Sequence, residues 1–275
     1  MPASPWLQSS NAAVDPTTLV EVAISTAVLT TVPPATEVRT AGLTFTPFRP
    51  ATIESETLIA RARTVSSGAT FTFAEVLVED ALGREVLRAS GVALVEPMAD
   101  PPPAAAIPGE PVPEPRYPSP DPYRRPLPTG VGVFPPSSFE RHHGLTLGAK
   151  MAVGELPRPP VMELFGLRGV EIEDRRSRMA LPTSDWLCWR RRDRIAPAAV
   201  AALAYRALVT SPYSEVRPGH RLGPLAVSIS LLADVANDGT ELVAEGRVTD
   251  FKFEDRGRHR LKGIDGEWPL FAVVN

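Results

Sequence analysis

The chain has 275 residues, a formal net charge of -3, 43% hydrophobic and 22% charged residues, which is room for two modest domains, each with its own core. That charge gives no electrostatic reason for a nucleic-acid or anionic-membrane partner, and no apolar run reaches the roughly 20 residues that span a bilayer, so membrane insertion is not expected. MPASPWLQSS lacks the basic and apolar regions of a signal peptide, and the single Cys188 has no internal partner for a disulfide, so a cytoplasmic location is expected.

The first predicted element is a helix over Pro16 to Thr30, with Asp15 placed to cap it, Pro16 suited to the first helical position and Pro33-Pro34 stopping it. Four runs of strand character follow at 38–48, 56–65, 69–80 and 85–97, with alternation clearest in Thr70-Phe71-Thr72-Phe73 and turns at Ser67-Gly68 and Leu82-Gly83. Residues 97–136 then hold about half of the 31 prolines; proline at this density denies the segment a helix or a sheet interior, and it reads as an extended linker, with a proline-rich recognition ligand as the alternative. Beyond it come helical stretches at 145–153 and 160–165, two strands within GLRGVEIED and SRMALPTSDW, an Ala-rich helix over 198–209, and strands near 222–232, 240–249, 251–263 and 268–274, the last two joined at Asp265-Gly266.

The order helix then strands thus occurs twice, and so does a phrase: SPWLQSSNAAVDPTTLVEVAISTAVL at 4–29 and SDWLCWRRRDRIAPAAVAALAYRALV at 184–209, in which Trp6 answers Trp186 and Pro16 answers Pro197. A period of about 180 residues is too long for a solenoid and points to duplication of a domain. The expected organisation is a first unit at 1–97, a linker at 98–140 and a second unit at 141–275. Ala201, Ala202, Ala204 and Ala207 are small enough for a sheet to curl closely around the second helix.

On GELPRPPVMELFGLRGVEIEDRRSRMALP, DWLCW, AALAYRA, VPPATEVRTAGLTFTPFRPA and GREVLRASGVALVEP, the sequence resembles the hotdog-fold acyl-CoA thioesterases and their double-hotdog relatives. The resemblance implies an α+β double hotdog, two antiparallel sheets each wrapped on a long central helix. Nothing before Trp6 resembles the family's opening helix and first two strands, so the first unit is expected either to be incomplete or to have its true start upstream of this sequence. It further implies an acyl thioester, acyl-CoA, hydrolysed or bound in the groove between the units, the thioester being substrate or ligand and no other cofactor needed. The alternative is a non-catalytic acyl or CoA-binding pseudoenzyme or partner subunit; a dehydratase or cyclase on the same scaffold is a third reading.

Thioester hydrolysis needs an acid to activate water or attack, and N–H donors for the oxyanion. The family supplies these with His-Gly-Gly at a helix N-terminus and an acid about two turns on. Carried over, the histidine, first glycine and acid fall on Ala196, Pro197 and Tyr205 in the second unit and on Asp15, Pro16 and Ile24 in the first, and proline has no N–H to give. Substitute chemistry is therefore expected. Glu21 is the candidate base if half-buried, against a solvent-facing or capping role. Asp15 is the second candidate, against a helix cap, and Tyr205 a carbonyl ligand, against a packing role. Thr26 is a candidate ligand hydroxyl, and Arg190, Arg191, Arg192 and Arg194 a candidate CoA-phosphate site, against a solvated loop. His142, His143, His220 and His259 have no metal-site spacing, so no metal is expected. The unfilled sheet edge of the first unit makes a homodimer the default expectation.

Overall fold

The computed structural model describes residues 8, 15–50, 57–98, 126–188, 192–220 and 222–249, and the backbone of 252–260 and 267–274. Helix α1 (Thr17–Leu29) begins one residue later than expected. Pro16 cannot donate, and the Asp15 carboxylate takes the Thr17 amide at 2.9 Å and the Thr17 hydroxyl at 2.6 Å, capping the first turn from outside it. Val20, Ile24 and Val28 recur on one face and are fully buried.

That face lies on an antiparallel sheet of β1 (Thr36–Pro47), β2 (Leu58–Ser67), β3 (Phe71–Asp80) and β4 (Glu85–Pro97), joined by β7 (Val227–Ser230) from the second half of the chain, in the order β2-β3-β4-β1-β7. The alternation read in Thr70 to Phe73 holds: Thr72, Ala74, Val76 and Val78 point inward and Phe71 and Phe73 outward. The helix sits very low on β4. A Cβ added at Gly91 would fall 2.6 Å from Ile24 Cδ1 and 3.1 Å from the Gly42 carbonyl oxygen, so any larger residue would have to push the Ile24 side chain aside. A bulge in β1 between Thr40 and Gly42 keeps both Thr40 and Leu43 on the inner face.

Residues 126–140, expected to complete the linker, are folded instead. Val131 bridges Arg158, Pro136 opens a short helix α2 (Pro136–Arg141), and Phe134 and Phe139, with ring centroids 5.8 Å apart, build a small core with Leu147 and Leu156. Two aromatic side chains among the prolines supply the apolar area a linker lacks. The ordered second half thus reaches back before residue 141; 99–125 lie outside the described residues, as does Trp6. Next come α3 (Gly144–Ala152), α4 (Pro160–Phe165), β5 (Arg168–Glu173), β6 (Arg176–Pro182), α5 (Pro197–Thr210) and β8 (Glu241–Arg247). Strands β5, β6 and β8 form a second antiparallel sheet beneath α5. Strands β9 (Lys252–Arg260) and β10 (Glu267–Val274) pair with each other, and the expected turn at Asp265-Gly266 lies outside the described residues.

The architecture is α+β with antiparallel sheets. The central helices are short, 13 and 14 residues. The expected second sheet is divided: β7 spends its backbone hydrogen bonds on β1, pairing Gly42 with Ser230 through Phe45 with Val227, and not on β8. Helices α1 and α5 pack on each other through Ala201, which is fully buried in the same core as Val20 and Ile24. Both copies of the repeated phrase touch α4: the Gln8 carbonyl accepts the Val161 amide at 3.0 Å, and the Trp186 indole N–H donates to the Leu164 carbonyl at 3.3 Å. Among the described residues no helix is long and apolar enough to cross a membrane, and no group of three or more His, Cys, Asp or Glu is placed to hold a metal ion.

Candidate functional site

The start of α1 meets the second half of α5. Arg206 donates from Nε at 3.1 Å and from Nη2 at 2.5 Å to Asp15 Oδ2, while Asp15 Oδ1 takes both donors of Thr17. Asp15 is 2% exposed and Arg206 8%. With both oxygens spoken for, Asp15 is a cap and an ion-pair partner, and the base role expected as one of its two readings does not fit this geometry. Tyr205, beside Arg206 on α5, packs its ring tilted at 59° against Phe45 of β1 with centroids 5.7 Å apart, and its ring centroid lies 5.3 Å from the Arg206 guanidinium. Burial first, and then the Asp15 charge, push its hydroxyl up to about 12, so it is a neutral donor throughout the physiological range.

Glu21 is deeply buried, not half-buried and not solvent-facing. Thr40 donates to its Oε1 at 2.7 Å, and Oε2 has no hydrogen-bond partner among the described residues. Burial raises its pKa, with the Thr40 hydrogen bond opposing only in part. The register explains its setting. Thr40 and Thr72 both stand opposite Ala93, on either side, so the three form one inward row across β1, β4 and β3 with about 4.8 Å between strands. Ile24 covers Gly91, and Glu21, one turn earlier on α1, reaches the row through Thr40, the residue paired with Ala93. Thr72 also has a hydroxyl without a partner. Glu21 therefore belongs to a polar row inside the first core.

The expected ligand-binding residues are dispersed. Thr26 is exposed on α1. Arg190 and Arg191 lie outside the described residues. Arg192 is exposed, and its carbonyl takes the Asn237 side-chain amide at 3.0 Å. Arg194 is ion-paired with Asp234, which also faces Arg39 Nε at 3.5 Å. The described part of this cluster ties the loop before α5 to β1 and to the segment before β8, so Arg194 in particular is not a free phosphate ligand.

Where the two halves face each other the protein forms a half-open cavity of about 580 Å³, within the range of small-molecule sites. Phe45 and Leu87 line it from the first half and Leu147, Met151, Met162 and Met179 from the second; Pro16, Tyr205 and Arg206 also reach it. Three thioethers make a wall that adapts to the shape of an apolar guest. Glu21, Thr26, Arg192 and Arg194 are not part of the lining, and no carboxylate is found among the described residues that form it. The sequence-predicted residues that come together here are Tyr205 and, through Arg206, Asp15. Sequence reasoning missed Arg206 as the partner of Asp15 and Arg49 as a lining residue; the Phe48-Arg49-Pro50 ending of β1 was visible as a motif but had no place without the fold.

No protein-family model and no curated protein matches the sequence. Solved structures are similar to it. A conserved protein of unknown function with a hot dog fold from Alicyclobacillus acidocaldarius is 15% identical, the match covering 90% of this chain and 80% of that one with a TM-score of 0.48. A Bacillus halodurans protein crystallised with CoA is 22% identical over 34% of this chain and 68% of that one, with a TM-score of 0.33. A Haemophilus influenzae thioesterase is 13% identical over 36% and 71%, also at 0.33.

Proposed function

We propose that the chain is a double hotdog that binds an acyl thioester, the acyl group in the cavity between the halves and the carrier arm, CoA or similar, leaving past the start of α1. The observation that carries this is the cavity itself: about 580 Å³, mostly apolar, walled by both halves, with the neutral Tyr205 in its lining and no carboxylate among its described lining residues. An apolar guest is held by burial and a carbonyl by the phenol, but nothing in that lining activates water. Pro16, where the helix would offer an oxyanion donor, has no N–H. The repeated phrase, the side-by-side helices and the β1–β7 pairing support the double-hotdog reading.

Hydrolysis is a second reading, favoured by one observation: Glu21 combines a raised pKa with an oxygen that has no hydrogen-bond partner. Calorimetric binding and free-thiol release on the same acyl-CoA panel separate the two. Binding without turnover is the expected result, with Tyr205→Phe weakening affinity by about 1 kcal/mol for the lost carbonyl hydrogen bond. Turnover that disappears in Glu21→Gln while binding persists would replace the binding reading with a thioesterase.

A further inference from the structure

The cavity has two cationic side chains in its lining, Arg49 and Arg206. Arg206 is neutralised by Asp15. Arg49 is solvent-exposed and lines the cavity, and among the described residues it takes part in no ion pair, so no described carboxylate compensates its charge there. Its neighbour Arg88 is not equivalent: it is bonded to Glu85 at 2.8 Å and lies 5.9 Å from the Phe48 ring.

The backbone under Arg49 is fixed in advance. Pro47 precedes the Phe48-Arg49 pair and Pro50 follows it, and a residue before proline is confined to extended conformations. The amides of Phe48 and Arg49 both donate to the Val86 carbonyl, at 2.8 and 3.3 Å, pinning the end of β1 to the start of β4. A guanidinium on a pinned backbone, lining an apolar cavity with no carboxylate among its described lining residues, is complementary to an amphiphile with an anionic group beyond its apolar part. The geometry points to Arg49 as the anion anchor of this site, holding a phosphate or carboxylate of the ligand outside the cavity while the apolar part fills it. This inference rests on the acyl-thioester reading and adds a source of anion recognition on the first half of the chain to the one expected before α5.

Octanoyl-CoA, octanoyl-pantetheine and octanoate, titrated into the full chain and into Arg49→Gln, test it. Arg49 is exposed, so the variant is expected to fold, and its circular dichroism is recorded alongside. The expected result is roughly tenfold weaker binding of octanoyl-CoA by the variant, a loss that shrinks with added salt, and unchanged binding of octanoyl-pantetheine, which has no anion. A loss confined to octanoate would keep the anchor and identify a carboxylate as its anion. Equal losses for octanoyl-CoA and octanoyl-pantetheine, or no loss for any ligand that the wild type binds, would overturn the anchor and leave the cavity reading standing. Failure of the wild type to bind any of the three would take both down.

Discussion

Asp15 and Arg206 stand 191 residues apart in sequence and meet inside the protein. Removing one member of such a pair strands the other as an uncompensated charge away from water. Arg206→Leu should therefore cost about 3–5 kcal/mol of folding stability, read as a lower urea midpoint. Asn in place of Asp15 still accepts the Thr17 amide through its carbonyl oxygen. Adding Asp15→Asn to Arg206→Leu is accordingly expected to recover much of the loss; a double variant no more stable than Arg206→Leu would show that the cost lies in packing. Nothing local announces this pair: a lone Asp before a helix reads as a cap, and a lone Arg in an Ala-rich helix reads as a surface residue. Glu21 was legible as a carboxylate with a raised pKa, but its depth was not, because the sheet that buries it, with Thr40 as its partner, is not local to the helix in sequence.

The fate of Glu21 also sets a pH dependence. The unfolded chain ionises this side chain near its ordinary value of 4.5, and the folded chain only at higher pH. The folded state thus binds the proton more tightly, so the contribution of Glu21 to stability is fully present below 4.5 and is lost as the pH rises through the folded value. Glu21→Gln mimics the protonated form and has no such loss. The stability of the variant relative to wild type should therefore rise with pH above 4.5 and level off beyond the folded pKa, as followed by urea unfolding across the acid-to-neutral range. A difference independent of pH would show that Glu21 is not held neutral by the core.

Among the elements, the contact of α1 with β4 is the tightest constraint. Gly91→Ala places a Cβ against Ile24 Cδ1 and near the Gly42 carbonyl, so overpacking of about 1–3 kcal/mol is expected. Ile24→Val removes Cδ1, and the Gly91→Ala/Ile24→Val pair should lose less than the sum of its parts, a coupling measurable in a double-mutant cycle. Strict additivity would place the cost elsewhere. The elements around this contact were largely legible: alternation marks β3, and Pro16 and the Pro33-Pro34 pair bracket α1, because period and backbone chemistry are local properties. The folded stretch at 126–140 was not, since proline counts outweigh two phenylalanines until a partner surface exists for them. The pairing of β7 with β1 was not either, because strand order is decided by what lies beside an edge, and no sequence period reports it.

At the scale of the whole molecule, the two halves depend on each other at several points: the β1–β7 ladder, the α1–α5 contact through Ala201, the Asp15–Arg206 pair, and a cavity whose walls come from both. The covalent connection through 99–125 adds to these by making association intramolecular, which raises the effective concentration of one half at the other. A protease site introduced into that segment should accordingly leave the two fragments together on gel filtration at micromolar concentration, with acyl-ligand binding retained. The cut complex should then come apart on dilution, as the uncut chain does not, and should do so at a higher concentration when Arg206→Leu is present, since that pair is buried between the halves. Fragments that separate at once after cleavage would mean that the interface is held chiefly by the connection, and that the cavity exists only while the chain is continuous.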